Sequence, residues 1–83
     1  MENNLLQDLS DIHDKCIELI DQRNHLEFNK YVSQFINEED SLDKLNKLKT
    51  ILVITKKVSL FFIEMGPIRE NIKKEFDKLN NKF

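Results

Sequence analysis

The sequence predicts an all-α fold, a small antiparallel bundle of about four helices, and three observations support this prediction. Apolar residues recur along most of the chain at the spacing of amphipathic helices. Gly66 and Pro67 are the only glycine and the only proline, whereas all-β and βαβ folds need several such residues at their turns. The predicted connections are very short, which favours antiparallel neighbours. Because the composition shows no break, residues 1–83 are expected to form a single helical domain.

The first predicted helix runs from about Asn4 to about Arg23. At about 100° per residue, its apolar residues fall on one side and its polar residues on the other, as in an amphipathic helix. The apolar side comprises Leu5, Leu6, Leu9, Ile12, Cys16, Ile17, Leu19 and Ile20. The polar side comprises Gln7, Asp8, Ser10, Asp11, Asp14, Lys15, Glu18 and Asp21.

A second, shorter helix is predicted to begin after Asn24. Asn24 and Glu27 have the spacing of a capping box, in which the asparagine side chain accepts a hydrogen bond from the amide of the glutamate and the glutamate side chain accepts one from the amide of the asparagine. The helix is expected to end near Asn37, because asparagine tolerates the left-handed conformation of a C′ residue. The main alternative fold is a long helical hairpin in which the first two helices fuse. The apolar face of this helix comprises Phe28, Tyr31, Val32, Phe35 and Ile36.

The third helix is predicted from about Leu42 to Met65, with Ser41 as its N-cap. The acidic residues just before it place negative charge at the positive end of the helix dipole. This helix is expected to be the central element of the bundle, since it is apolar on more than one side. Its main apolar face comprises Ile51, Ile54, Val58, Phe61, Phe62 and Met65.

A second apolar stripe lies on the opposite side of the third helix. It consists of Val53 and Leu60, which are seven residues apart. The second helix is too short to cover the whole third helix, so we expect a homodimer or an obligate hetero-complex through this stripe. The charged residues that flank it are Lys49, Lys56, Lys57 and Glu64.

Gly66 is expected to end the third helix, and Pro67 suits the first turn of a fourth. The alternative is one long helix kinked at Pro67. The apolar stripe of the fourth helix comprises Ile68, Ile72, Phe76, Leu79 and Phe83.

The sequence contains no pattern that predicts catalysis, a cofactor or a metal site. Cys16 and His13 are both expected on the apolar face, where a cysteine acts as a small hydrophobe, so we predict a buried thiol rather than a nucleophile. With His25, these two residues lack the paired spacing of zinc ligands. The carboxylates within residues 38–43 lack the central glycine of a calcium loop, and are expected to be helix caps and solvated charge. Because Gly66 is the only glycine, no phosphate loop is present, and we do not expect an enzyme.

Three features lead us to expect a cytoplasmic protein without a membrane span. Cys16 is the only cysteine, so no intramolecular disulfide can form. Residues 1–4 lack the basic and apolar regions of a secretory signal. The most apolar stretch, residues 51–65, is interrupted by charged residues, whereas a bilayer span needs roughly 20 mostly uncharged ones.

The net charge of −2 conceals two oppositely charged halves. Residues 1–43 contain eleven acidic and three basic residues, whereas residues 44–83 contain ten basic and four acidic ones. In the simplest interpretation these charges offset each other across the bundle surface; otherwise one half faces a partner. The acidic face of the first helix comprises Asp8, Asp11, Asp14, Glu18 and Asp21. The basic half contains Lys44, Lys47, Lys49, Lys56, Lys57, Arg69, Lys73, Lys74, Lys78 and Lys82.

The function expected from these features is that of a non-enzymatic helical protein–protein interaction module, such as an adaptor, a regulator or an assembly subunit. A narrower form is an immunity or inhibitor protein that neutralises a toxin or a host factor, with the acidic face speeding association with a basic partner. The alternative is a nucleic-acid-associated regulator that uses the basic half. Its support is weaker, because only Arg69 is an arginine there and the lysines are expected to spread around their helices as solubilising residues.

Overall fold

The computed structural model describes residues 3–56, 63 and 65–83, and in these residues the chain forms four α-helices and no strand. The helices are α1 (Asn3–Asp21), α2 (His25–Ile36), α3 (Leu42–Thr55) and α4 (Met65–Lys82). The predicted all-α bundle is confirmed, and the alternative hairpin with the first two helices fused is wrong. Within the same residues, none of the helices has both the length and the apolar character that a bilayer span requires.

The chain reverses between α1 and α2 through a left-handed residue. Arg23 has a φ of 55°, although it is not a glycine. Its amide donates to the Ile20 carbonyl at 3.0 Å, and the Asn24 amide donates to the Leu19 carbonyl at 3.1 Å. This pair of bonds is a Schellman motif, which satisfies the last carbonyls of α1. Asn24 then caps α2 as predicted, because its side-chain oxygen accepts a hydrogen bond from the Glu27 amide at 3.3 Å. The return bond of the predicted capping box is not formed, since the Asn24 amide donates to the Leu19 carbonyl instead.

The two caps predicted around the α2–α3 turn have different outcomes. Asn37 does not adopt the left-handed conformation, since its φ is −89° and its ψ is −1°. Its amide donates to the Ser33 carbonyl at 3.1 Å, so helical hydrogen bonding continues through it and no left-handed residue is needed. Ser41 is the N-cap of α3, as predicted, and its Oγ accepts a hydrogen bond from the Lys44 amide at 3.1 Å.

The third helix ends at Thr55, so the prediction that it extends to Met65 is wrong. The amide of Lys56 donates to the carbonyl of Val53, three residues back. In a continuing α-helix it would donate to the carbonyl of Leu52, four residues back. That carbonyl accepts a hydrogen bond from Arg69 Nη2 of α4 at 3.1 Å instead. A contact between helices thus satisfies a carbonyl that the Lys56 amide does not reach, and the Thr55 hydroxyl adds a longer hydrogen bond to it at 3.4 Å. Several residues of the predicted third helix lie outside the described residues, namely Lys57, Val58, Leu60, Phe61, Phe62 and Glu64.

Met65 begins the fourth helix, so Gly66 lies inside α4 and the prediction that it ends the third helix is wrong. Pro67 is in the first turn of α4, as predicted. A proline is tolerated there because the first amides of a helix have no intrahelical partner.

α3 is the central element, as predicted, since it packs against each of the other helices and has the most extensive packing of the four, above all with α1 and α4. α4 runs antiparallel to it, because Arg69 contacts Leu52 late in α3 whereas Glu75 contacts Lys44 early in α3. The alternative of a single helix kinked at Pro67 is therefore wrong. The buried apolar core comprises Ile12, Cys16, Leu19, Phe28, Val32, Phe35, Leu48, Ile51, Met65, Ile68, Ile72 and Leu79.

Two residues of the predicted apolar face of α1 are exposed to solvent. Leu6 is 70% exposed and Ile17 is 40% exposed. On a helix with about 100° per residue, both lie roughly 100° or more from the buried line through Ile12 and Cys16. The face that α1 buries is therefore narrower than the sequence predicted.

Candidate functional site

Cys16 and His13 do not form a reactive pair. Cys16 is fully buried, as predicted, and burial raises the pKa of its thiol to about 12, which suppresses the thiolate that a nucleophile requires. His13 was expected on the apolar face, but its side chain is 58% exposed and its Nδ1 lies 3.4 Å from the Asp14 carboxylate. It lies outside the face that α1 buries, as Leu6 does, at roughly 80° from the line through Ile12 and Cys16. Across the part of the chain that the structure describes, no group of three His, Cys, Asp or Glu residues is placed to hold a metal ion.

A buried lysine connects the α2–α3 turn to α4. Lys44 is only 1% exposed, and its ammonium donates to Glu75 Oε2 at 2.7 Å, to the Glu38 carbonyl at 2.9 Å and to Asp40 Oδ1 at 3.2 Å. Burial alone would lower the pKa of Lys44, but its hydrogen bonds to Glu75 and Asp40 outweigh burial and raise the pKa above its ordinary value. The lysine therefore stays charged, with all three of its donors used.

The expectation that Lys44 is a solubilising residue is wrong. Lys44 precedes the buried residues Leu48, Ile51 and Thr55 by four, seven and eleven positions, which places it on the buried stripe of α3. This register could be seen in the sequence. Its partner Glu75, 31 residues further on, could not be identified without the packing of α4.

Two acidic residues before α3 are neutralised by the basic half of the chain. Asp40 pairs with Lys44 through Oδ1 and with Lys82 through Oδ2, at 3.2 and 2.9 Å. The hydrogen bonds from Lys82 and Lys44 hold the pKa of Asp40 below its ordinary value. Glu38 pairs with Lys47 at 3.2 Å. These carboxylates, expected to be caps and solvated charge, are ion-paired across the fold.

The network around Lys44 predicts that stability falls at acidic pH. Because the pKa of Asp40 is lower in the folded chain than its ordinary 3.8, its contribution is complete above that value and disappears as the pH falls through the folded pKa. The measurement is urea unfolding of the wild type and of Asp40→Asn between pH 7 and pH 2. The difference between their free energies of unfolding should shrink below about pH 3.8. A difference that stays constant over this range would mean that ionised Asp40 does not stabilise the fold.

The carboxylates of α1 are exposed and are not neutralised by the basic half. Among the residues the structure describes, the contacts between side-chain nitrogens and carboxylates of this face stay within α1 and have N···O distances of 3.4 Å. Asp11 accepts a hydrogen bond from the neutral side chain of Gln7 at 2.9 Å. The charges of the acidic and basic halves therefore offset each other just before α3, but not along α1. The pairs within α1 are His13 with Asp14 and Lys15 with Glu18.

A groove of about 190 Å³ opens beside the N-terminal half of this acidic face. On its α2 side, the rings of Tyr31 and Phe35 are nearly perpendicular, with centroids 5.2 Å apart. On its α3 side, Lys47 Nζ lies 5.9 Å from the centroid of Phe35. Burial, with smaller contributions from Cys16 and Asp11, raises the pKa of Tyr31 to about 12, so its hydroxyl stays neutral. The groove is lined by Asp8, Asp11, Ile12, Tyr31, Phe35 and Lys47.

The described residues that were predicted to bind a partner fall into two groups. Asp8 and Asp11 lie at the groove, with Asp14 and Glu18 further along α1. The second group lies on α3, where Val53 is 67% exposed. Because Leu60 lies outside the described residues, self-association through Val53 and Leu60 stays a prediction. The other residues predicted to flank this stripe are Lys49 and Lys56, which are exposed on and just after α3, and Lys57 and Glu64, which are not described.

The sequence identified the acidic rim of the groove but missed its aromatic and basic walls. Tyr31 and Phe35 were assigned to the apolar face of α2, and Lys47 to the basic half. Comparison with known proteins finds no matching family model, no matching curated protein and no matching solved structure. Function is therefore inferred from the residues of this chain.

Proposed function

We propose that this chain is a non-enzymatic protein-binding module, an adaptor, regulator or assembly subunit, and that the acidic face of α1 binds a basic surface of a protein partner. One observation carries the proposal. The exposed carboxylates of α1 make no ion pair with the basic half among the described residues, whereas Glu38 and Asp40 do. Like charges on one helix face repel each other, and a cationic partner relieves this repulsion.

The spacing of these carboxylates makes them act together. Residues one turn apart on a helix are separated by about 5.4 Å along the axis, and the Debye length at physiological ionic strength is about 8 Å. A partner therefore meets a predominantly negative surface, on which Lys15 is the one lysine, and such a surface speeds association and disfavours acidic competitors. The narrower proposal is an immunity or inhibitor protein that covers the basic surface of a toxin or a host factor. Such surfaces are common on proteins that act on nucleic acids.

Neutralising the face tests the proposal. The partner is captured from host cells, purified, and titrated with the wild type and with the triple variant Asp11→Asn, Asp14→Asn, Glu18→Gln. Each exposed charge contributes up to about 1 kcal/mol, so the triple variant should bind about tenfold to a hundredfold more weakly, mainly through slower association. The loss should decrease as salt is raised.

A matched control removes the same formal charge elsewhere. Glu39, Glu70 and Asp77 are exposed and lie outside α1, so their conversion to Gln, Gln and Asn should change the affinity by less than about threefold. Circular dichroism checks that all variants keep the helical fold. Equal affinity of the wild type and the α1 variant would refute the proposal.

A nucleic-acid-associated regulator is the second candidate, and α4 carries the observation in its favour. Lys74 and Lys78 are exposed, lie one turn apart and make no ion pair with any described residue. The support is weaker than for a protein partner, because Lys44, Lys47 and Lys82 are paired with carboxylates. Fluorescence anisotropy with a short DNA duplex distinguishes the two. Binding that falls steeply between about 50 and 200 mM salt would favour nucleic acid, since phosphate contacts release counterions.

A further inference from the structure

The groove between α1, α2 and α3 has the size of a site for a single side chain. Its volume is about 190 Å³, whereas pockets for drug-sized ligands measure roughly 300–1,000 Å³. Protein interfaces often place one anchoring side chain of the partner in a small pocket of this kind. The size therefore favours a partner's side chain over a cofactor.

The charges at the groove favour a cationic side chain. Asp8 makes no hydrogen bond or ion pair with any described residue, and Asp11 accepts only the neutral amide of Gln7. Lys47 brings a positive charge to the described lining, but Glu38 opposes that charge at 3.2 Å. Two carboxylates one helical turn apart therefore line the groove without a cation of their own.

The aromatic wall favours arginine over lysine. The ring of Phe35 already has a cation beside it, because Lys47 Nζ lies 5.9 Å from its centroid, within the roughly 6 Å of a cation–π contact. Tyr31 stands nearly perpendicular to Phe35 and also lines the groove. A guanidinium is planar and stacks on a ring while its N–H groups reach carboxylates, whereas an ammonium is a compact and strongly hydrated charge.

We propose that this groove binds an arginine side chain from the basic surface of the protein partner. The carboxylates of Asp8 and Asp11 accept hydrogen bonds from the guanidinium, and the ring of Tyr31 packs against its plane. This inference rests on the proposed function, and it adds the position and the chemistry of the anchoring contact. The rest of the acidic face contributes by steering.

A small probe tests the groove without the partner. N-acetyl-arginine methylamide, titrated into the ¹⁵N-labelled chain, should produce saturable NMR shifts around Asp8, Asp11, Tyr31 and Phe35, with millimolar affinity. The lysine analogue should bind at least about threefold more weakly, and the neutral citrulline analogue should give no saturable shift. The proposal is overturned if arginine gives no saturable shift, if citrulline matches arginine, or if the shifts extend evenly along α1 to Glu18.

Paired variants locate the probe more sharply. Asp8→Asn with Asp11→Asn should weaken binding of the arginine analogue about tenfold. Asp14→Asn with Glu18→Gln removes the same formal charge from the same helix, and should weaken it by less than about twofold. Equal losses from the two pairs would overturn the proposal. A third variant, Lys47→Gln, should strengthen binding about threefold, because it removes a like charge from the groove.

The captured partner separates failure of this inference from failure of the proposed function. If the double variant at Asp8 and Asp11 weakens partner binding about tenfold more than the double variant at Asp14 and Glu18, the proposed function and the arginine site are both supported. If the two pairs weaken it equally, the acidic face binds the partner but the arginine site is wrong. If neither pair weakens it, the proposed function is wrong as well.

Discussion

Lys44→Ala is expected to lower the free energy of unfolding by about 3 kcal/mol, which is the lower end of the range for breaking a buried ion pair. The substitution removes the ammonium that Glu75, Asp40 and the Glu38 carbonyl share, and it leaves a gap where the lysine stem lay. The loss stays at the lower end because the side chains of Glu75 and Asp40 are 17% and 28% exposed, so water reaches them once Lys44 is gone. Urea unfolding followed by circular dichroism measures the change.

A matched surface pair is the control for this prediction. Lys73 and Asp77 form an ion pair with the same four-residue spacing as Lys44 and Asp40, but both side chains are 56% exposed. Lys73→Ala should therefore cost less than about 1 kcal/mol. Adding Glu75→Gln to Lys44→Met should restore part of the stability lost in Lys44→Met, since it removes the uncompensated carboxylate. If Lys44→Ala costs no more than Lys73→Ala, the network does not contribute to stability as described.

Local patterns in the sequence were sufficient to predict the helices and some of their caps. Asn24 and Ser41 cap the helices they precede, because the capping bond joins residues three positions apart and depends on little else. The end of α3 could not be predicted in this way. Nothing in the sequence near Leu52 indicates that its carbonyl accepts a hydrogen bond from Arg69, 17 residues away.

The candidate site also has a part that follows from local sequence and a part that depends on how the helices pack. The acidic rim could be predicted, because Asp8 and Asp11 belong to a periodic pattern of charge on one helix. The groove could not, since Tyr31 and Lys47 reach it from two other helices and each has an ordinary local explanation. Lys44 is an intermediate case, because its register placed it on the buried stripe while its charge suggested an exposed residue.

Ile51→Ala is expected to lower the free energy of unfolding by about 3 kcal/mol, whereas Val53→Ala should change it by less than about 0.5 kcal/mol. Ile51 is fully buried in the C-terminal half of α3, and truncating it removes apolar contacts and leaves a cavity. Val53 lies two residues further on the same helix and is 67% exposed. Domains of this length are stabilised by roughly 4–12 kcal/mol, so the first change is a large fraction of the total. Thermal and urea unfolding measure both variants.

Val53 also tests the predicted self-association. If Val53 lies in an interface between copies, sedimentation at micromolar concentration should show a wild-type dimer, and Val53→Glu should convert it to a monomer because the interface would bury an unpaired carboxylate. The folded monomer should keep its helical spectrum, since Val53 contributes little to the core. A monomeric wild type would contradict self-association. A loss of several kcal/mol in Val53→Ala would instead mean that Val53 belongs to the core, in conflict with its exposure on α3.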